Sequence, residues 1–488
     1  LFSNLGTIVN GGEGGAITQR IDWAPTLGLT FDLRVDAFAA VMLALISVIG
    51  VAVCVYAVAY FGPDRPGLGR LSGLLVMFSG AMTGVVVSDH LLALFVFWEL
   101  TSVTGWGVYG TNVLRQLAVG GGPAPVLLKQ PARFTPDPLD AVIFAPLLAQ
   151  QQQLFAMVSQ GGRVTPANLD FPVLKTLFPG FKTITAGRVF FGKPDIGVIF
   201  FENTRITPEE VSASRAYARI VAGSTWNRDV LRAHGVQGVE LVLQGIDPVL
   251  FHPMPRRPFR SGTFTVFSGG KLEARKGQDI VLAAFRRFHA RHPDSVLVTA
   301  WQNAWPEKTH DVAHSGLVQG VPETRADGTL DIGRWAVTNG LPAGSVLDMG
   351  WVAHKDMPRV LAACDAAVFA SRNESGTNLP AMECMAMGLP TVVSANTGHL
   401  DLIGTVHEAP RVFALRDQRP VRHAPAGWGT DGWGASSVEE LESVLERLYT
   451  DRDEARARGR RAAEFMCTLT WSGQVKALVD VVAGAIHP

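Results

Sequence analysis

Two short apolar runs, at 366–370 and 391–395, are separated by room for one helix, and this spacing constrains the fold more than any other feature of the chain. The first run reads as a buried strand that breaks into a polar, glycine-containing loop at 371–378. Asn378 is placed to cap a helix, and Pro380 suits the first turn, where its missing N–H costs nothing. Gly388 and Pro390 then close that helix before the next strand.

The alternation recurs. Strands are expected at 125–128, 196–201 and 219–222, with helices at 147–159, 208–217 and 225–233. After a link that ends in the proline-rich, basic stretch 254–261, further strands are expected at 263–268, 295–301 and 345–349. Amphipathic helices at 437–449 and 452–466 and a last helix at 471–486 follow. The fold class predicted is α/β, with parallel sheets covered by helices over 105–246 and 247–470.

A helix N-terminus favours a phosphate, and carboxylates beside it accept hydrogen bonds from sugar hydroxyls, so Glu374 and Glu383 around the Asn378 turn suit a nucleotide sugar. The turn Gly270-Lys271-Leu272-Glu273-Ala274-Arg275-Lys276-Gly277 supplies fixed cations. Such cations stabilise the charge that develops on a departing nucleoside diphosphate without a metal. Arg275 is expected to be solvated. Gly398 and His399 sit just after a strand end, where open α/β sheets bind ligands.

These residues resemble the donor domain of family 4 retaining glycosyltransferases of the GT-B type, which implies two Rossmann-like domains facing a cleft, joined by a link over 239–253, with 471–488 crossing back. In that family an acidic pair separated by seven residues frames the donor; here eight lie between Glu374 and Glu383, so the loop carries one more. The resemblance implies that Glu383 holds the ribose, and that Glu374 lies by the transferred sugar with the backbone of Gly376, Thr377, Asn378 and Leu379. Lys271 and Lys276 take the Arg and Lys positions of the family's GRLxxxKG segment and would hold the diphosphate beside Gly270. Gly398 would let backbone approach the donor, and His399 would face the cleft. Glu374, Glu383 and Lys276 are the catalytic candidates. Retention uses the leaving phosphate as base, so no protein nucleophile, cofactor or metal is called for; Glu202 and Asp195 are candidate acceptor contacts. A glycine turn at Gly105, Gly107 and Gly110, leading into a helix, is similar to the one that faces the cleft in these enzymes.

The first hundred residues differ in kind. Residues 37–61 form an uncharged apolar run long enough to cross a bilayer, 71–88 a second, and 91–109 a third with Glu99 inside it. The wording of 31–50 and 80–102 resembles the antiporter-like subunits of Mrp-type cation/proton antiporters and respiratory complex I. There the Glu of FxxWE, here Glu99, belongs to the proton path; in a chain with so few such segments it reads as a relic. Arg65 and Arg70 in the loop 62–70 place that loop in the cytoplasm. Three crossings, rather than two, would then leave the catalytic domains cytoplasmic on a membrane anchor. The first strand of the sugar-transfer domain is either borrowed from 91–104 or missing.

Composition narrows the partners. Acidic and basic residues balance at 43 each, which excludes a global field for nucleic acid. Cys54, Cys364, Cys384 and Cys467 lack metal-ligand spacing and are expected as reduced, buried thiols. The expected function is transfer of a sugar from a nucleotide sugar to a glycan or lipid-linked acceptor. The alternatives are a membrane subunit of an antiporter-like system and a nucleotide-sugar-binding protein without turnover.

Overall fold

The computed structural model describes residues 17–24, 29–35, 106–120, 125–128, 138–160, 163–183, 188–405, 407–421 and 424–486. The chain divides into two compact units, residues 1–111 with 126–165 and residues 112–125 with 166–488.

In the first unit, β1 (Ile17–Ala24) pairs antiparallel with β2 (Leu29–Val35), Ile17 opposite Val35. Helix α1 (Trp106–Val119) begins in this unit, and α2 (Pro138–Val158) lies in it. Gly107 and Gly110 lie inside α1, so the glycine turn expected there is helix. An isolated glycine costs a helix about 1 kcal/mol relative to alanine and does not end it without a proline or a cap. Gly105 lies outside the described residues. Residues 125–128 form no strand, and the helix expected from 147 starts earlier, at Pro138, and runs through Pro146. The apolar runs at 37–61 and 71–88, the stretch 91–104 and Glu99 all lie outside the described residues. Among the described residues no helix is long and apolar enough to cross a membrane.

In the second unit the described residues form two large sheets. The first contains β3 (Val173–Phe178), β4 (Lys182–Thr183), β5 (Asp195–Ile199), β6 (Arg219–Ala222) and β7 (Val239–Leu241), in the order β7-β6-β5-β3-β4. All pairs are parallel except β3 with β4. Helix α3 (Pro208–Ser214) opens on a reciprocal cap between Thr207 and Glu210, and α4 (Thr225–Ala233) on Ser224.

The second sheet is wholly parallel. Its strands are β8 (Phe264–Gly269), β9 (Ser295–Ala300), β10 (Val346–Asp348), β11 (Ala366–Phe369), β12 (Thr391–Ser394) and β13 (Phe413–Leu415), in the order β10-β9-β8-β11-β12-β13. Helix α5 (Gln278–Arg291) follows β8, and α6 (Leu379–Ala386) joins β11 to β12. Alternate residues explain the unbroken apolar runs. Val266, Ala366 and Val368 pack with Phe285, Phe288 and Trp301, while Phe267, Ala367 and Phe369 pack with Met382, Cys384 and Met385. Both faces are therefore buried, as parallel sheets require, and each large side chain contributes roughly 1.5–3 kcal/mol.

Helices α7 (Val438–Thr450), α8 (Arg452–Met466) and α9 (Trp471–Ile486) close the chain. The last one touches the first sheet: Arg219 Nη2, on β6, donates to the Gly484 carbonyl at 3.4 Å. Where the link passes Trp471, a Cβ on Gly245 would stand 2.5 Å from the Trp471 nitrogen, so only glycine fits. Cys364 and Cys384 are buried, but Cys467 is exposed, against expectation, because it follows the last turn of α8 on the outer face. Cys54 lies outside the described residues.

Candidate active site

Strand β8 stands in the middle of its sheet, with β9 and β10 added on one side and β11 to β13 on the other. Connections leaving β8 and β11 diverge, opening a crevice outside their carboxyl ends, where α/β sheets bind ligands. The 270–277 turn follows β8 and the 370–378 loop follows β11, so the two segments with the candidate charges meet there. The Arg275 carbonyl accepts from the backbone nitrogens of Arg372 at 2.7 Å and Asn373 at 3.2 Å. Gly277 has φ of 67°, and a Cβ on it would lie 1.9 Å from the Ala370 carbonyl oxygen. Underneath, Arg372 makes two bonds to Asp279, at 2.8 and 2.6 Å, and pins the loop to the start of α5.

Glu374 is the hub. Its Oε2 takes Lys276 Nζ at 2.6 Å, and its Oε1 takes Ser371 Oγ at 2.6 Å and Asn378 Nδ2 at 3.0 Å. Burial alone would push this carboxyl up; the charges of Lys276 and Arg275 outweigh burial and hold it below its usual range. Lys276, expected on the diphosphate, and Glu374, expected by the transferred sugar, are thus bonded to each other.

Asn378 caps α6 through Oδ1 to the Ala381 nitrogen and adopts φ of 64°, a left-handed conformation that asparagine tolerates. Its Nδ2 also meets His399 Nε2 at 2.9 Å. His399 is fully buried, which pulls its pKa down to about 4, so it is neutral near pH 7. Its pKa is lower folded than unfolded, so between pH 4 and 6.5 the unfolded chain holds the extra proton and stability falls as pH falls. Moving from pH 7 to pH 5 is expected to cost about 2 kcal/mol through this group. Urea unfolding at the two pH values should show that loss, and His399→Gln should remove it; an unchanged pH dependence in the variant would refute the assignment.

Around this hub the other candidates take mixed positions. Gly270 has φ of 106°, which favours glycine at the start of its turn. Lys271 Nζ lies 3.9 Å from Glu273 and 5.1 Å from the centre of the Trp305 ring; burial pulls its ammonium below the usual range. Arg275 is not solvated as expected. It pairs with Glu273 at 2.8 Å and stands 3.7 Å from Glu202 and 4.0 Å from Glu374, because the turn folds it inward. Glu202 reaches this group from the first sheet and also accepts from Ser375 Oγ at 3.4 Å. Asp195 does not: it opens β5, at the amino end, and is bonded to Lys175 at 2.6 Å and the Gly192 nitrogen at 2.8 Å.

The loop backbone is held from across the link. Gln244 Oε1 accepts from Thr377 nitrogen at 3.1 Å and Oγ1 at 3.2 Å, and a Cβ on Gly376 would stand 2.6 Å from that oxygen. Ser224 Oγ donates to the Ser375 carbonyl at 2.8 Å. Gly398, expected to admit a ligand, instead admits this loop: its nitrogen bonds the Glu374 carbonyl at 3.0 Å, and a Cβ would lie 1.8 Å from the Gly376 oxygen. Leu379 opens α6 and packs partly buried on the core. Glu383, further along α6, accepts from His354 at 2.7 Å.

A segment at 428–433 ties the two sheets together at the same place. Thr204 Oγ1 donates to Asp431 at 2.8 Å, Trp226 Nε1 to the Asp431 carbonyl at 3.0 Å, and Trp433 Nε1 to the Glu202 carbonyl at 3.1 Å. Sequence reasoning passed over Gln244, His354, Ser371 and the Arg372–Asp279 pair. Only Arg372 carried a signal, a charge next to a buried strand.

Residues 263–419 match the family described as glycosyl transferases group 1, and residues 23–70 match NADH-ubiquinone oxidoreductase (complex I), chain 5 N-terminus. A probable K(+)/H(+) antiporter subunit of Rhizobium meliloti (strain 1021) is 47% identical over 98 residues, 20% of this chain and 10% of that protein. An Na(+)/H(+) antiporter subunit of Alkalihalophilus pseudofirmus is 42% identical over 90 residues, 18% of this chain and 11% of that protein. The chain thus spans about a tenth of the length of these curated relatives. Among solved structures, sucrose-phosphate synthase from Thermosynechococcus elongatus superposes with a TM-score of 0.50 at 15% identity, over 79% of this chain and 94% of that one. The C-terminal part therefore carries a group 1 glycosyltransferase domain in a GT-B α/β fold, and the N-terminal part an antiporter-like segment.

Proposed function

We propose that this chain transfers a sugar from a nucleoside diphosphate donor to an acceptor hydroxyl with retention of anomeric configuration. The observation that carries the reading is the buried Lys276–Glu374 pair at the switch point of the parallel sheet, with Arg275 and Lys271 on the same turn. The group 1 family match over 263–419 supports it.

In this reading the bond between the anomeric carbon and the phosphate oxygen breaks, and the acceptor oxygen bonds that carbon on the same face. The acceptor proton passes to the leaving phosphate oxygen. Lys276 and Lys271 neutralise the charge that grows on the diphosphate. A lysine has three donors, so Lys276 can keep its bond to Glu374 while donating to phosphate. Glu383 takes the ribose hydroxyls, and Glu374 with the Gly376 to Asn378 backbone lies by the transferred sugar. Glu202, reaching in from the first sheet, is the remaining acceptor contact. The antiporter-like similarity of residues 23–70 supports membrane association; in this reading the transfer domains lie in the cytoplasm and the acceptor is a glycan or lipid-linked molecule.

Calorimetric titration of the full chain with uridine, guanosine and adenosine diphosphate sugars tests this. One of them is expected to bind at micromolar concentration. A folded protein that binds none overturns the proposal.

A further inference from the structure

Glu383 projects from α6 with its side chain 10% exposed, and among the described residues His354 is the one group that hydrogen-bonds its carboxylate. The bond runs from Nε2 to Oε1 at 2.7 Å. His354 lies far away in sequence, in the loop after β10, the edge strand of the sheet. Its ring is backed by Phe251 of the interdomain link, with centroids 5.1 Å apart at 52°. Phe251 is itself buried, and its backbone nitrogen bonds the Asp247 carbonyl at 2.9 Å. Three segments therefore converge on one carboxylate: the edge loop, the link and α6.

A glutamate carboxyl has a broad, two-fold terminal torsion, so on its own it presents its oxygens over a wide range of angles. A donor fixed on Oε1 removes that freedom and leaves Oε2 with unused acceptor sites. Two vicinal hydroxyls need such an oriented acceptor. We infer that His354 is a positioning residue that aims Glu383 at the 2′,3′-diol of a ribonucleotide donor, and so makes the site selective for ribonucleoside over 2′-deoxyribonucleoside diphosphates. This rests on the ribose role proposed for Glu383. Burial opposes protonation of His354, and the hydrogen bond and charge of Glu383, with the charge of Asp247, outweigh it and raise its pKa; the Nε2 proton is thus kept on the side of the carboxylate.

The test uses the full chain, with UDP, GDP and ADP as probes and the 2′-deoxy counterpart of whichever binds. Wild type is expected to prefer the ribonucleotide by about tenfold or more, as one charge-assisted hydrogen bond is lost with the 2′-hydroxyl. His354→Ala should weaken the ribonucleotide by about tenfold and the deoxynucleotide by less than about twofold, closing the gap. His354→Asn, whose amide stops short of the carboxylate, should behave the same way and serves if the alanine variant does not fold. His354→Gln, which can restore the N–H donor, should recover most of the preference. Equal losses on both nucleotides, no loss, or no preference in wild type would overturn the positioning role while leaving the donor site in place. A wild-type chain that binds none of the probes would refute the sugar-transfer reading itself, and this role with it.

Discussion

Lys276→Ala is expected to weaken donor binding by about 100-fold, because removing one partner of a buried, hydrogen-bonded charge pair costs about 2–5 kcal/mol. Two losses combine. The diphosphate loses a cation, and Glu374, with its side chain 4% exposed, keeps its charge in a buried place with Ser371 and Asn378 as hydrogen-bond donors and Arg275 at 4.0 Å as the remaining cation. Lys276→Arg should recover part of the binding, since the charge returns with a different reach and fork geometry. Calorimetry with the bound nucleotide sugar measures both, and an alanine variant that binds within twofold of wild type would remove Lys276 from the donor site.

Asp279→Ala is expected to destabilise the second sheet's domain by about 3–5 kcal/mol, the cost of leaving one member of a buried ion pair alone. Asp279 is fully buried, and Arg372 is nearly so. Both carboxylate oxygens are bonded to that one guanidinium, so the variant leaves it without its counter-charge. The melting temperature should fall by roughly 10 °C, at about 2–4 °C per kcal/mol for a domain of this size. Replacing both residues, Asp279→Leu with Arg372→Met, should restore most of the stability, because a well-packed apolar pair substitutes for a buried ion pair at little cost. Thermal unfolding followed by circular dichroism decides it. A single variant that melts within 2 °C of wild type would mean that the pair does not hold the loop to α5.

Part of the site is legible in the residues alone. The turn 270–277 and the loop 371–378 are recognisable because each pairs a glycine with charge directly after an apolar strand, and both lie at the sheet's carboxyl edge. The inward fold of Arg275 is not legible. A basic residue in a polar turn has the same local pattern whether it faces water or three carboxylates. Its partner Glu202 lies on the far side of the link and is brought there by contacts between the two sheets' loops, among them those of 428–433 with 202–204 and 226. The same holds for His354, a lone histidine after a short edge strand, whose partner is 29 positions away. Gly107 and Gly110 mislead in the other direction: glycine marks a turn only where the surrounding residues cannot continue a helix.

What the sequence determined by itself was most of what is set within a few residues. Arg219–Ala222, Thr225–Ala233, Arg452–Met466 and Trp471–Ile486 lie where apolar period and capping put them, and Asn378 and Pro380 open α6 as their chemistry requires. Capping, turn conformation and alternation act over one or two turns of chain, so they can be read from neighbours. Only the tertiary structure decided which charges meet. Lys276 and Glu374 are 98 positions apart, and Ser375 and Glu202 173 apart. Their contact depends on sheet order and on the packing of one sheet's loops against the other, where burial makes each pairing strong and no local pattern records it.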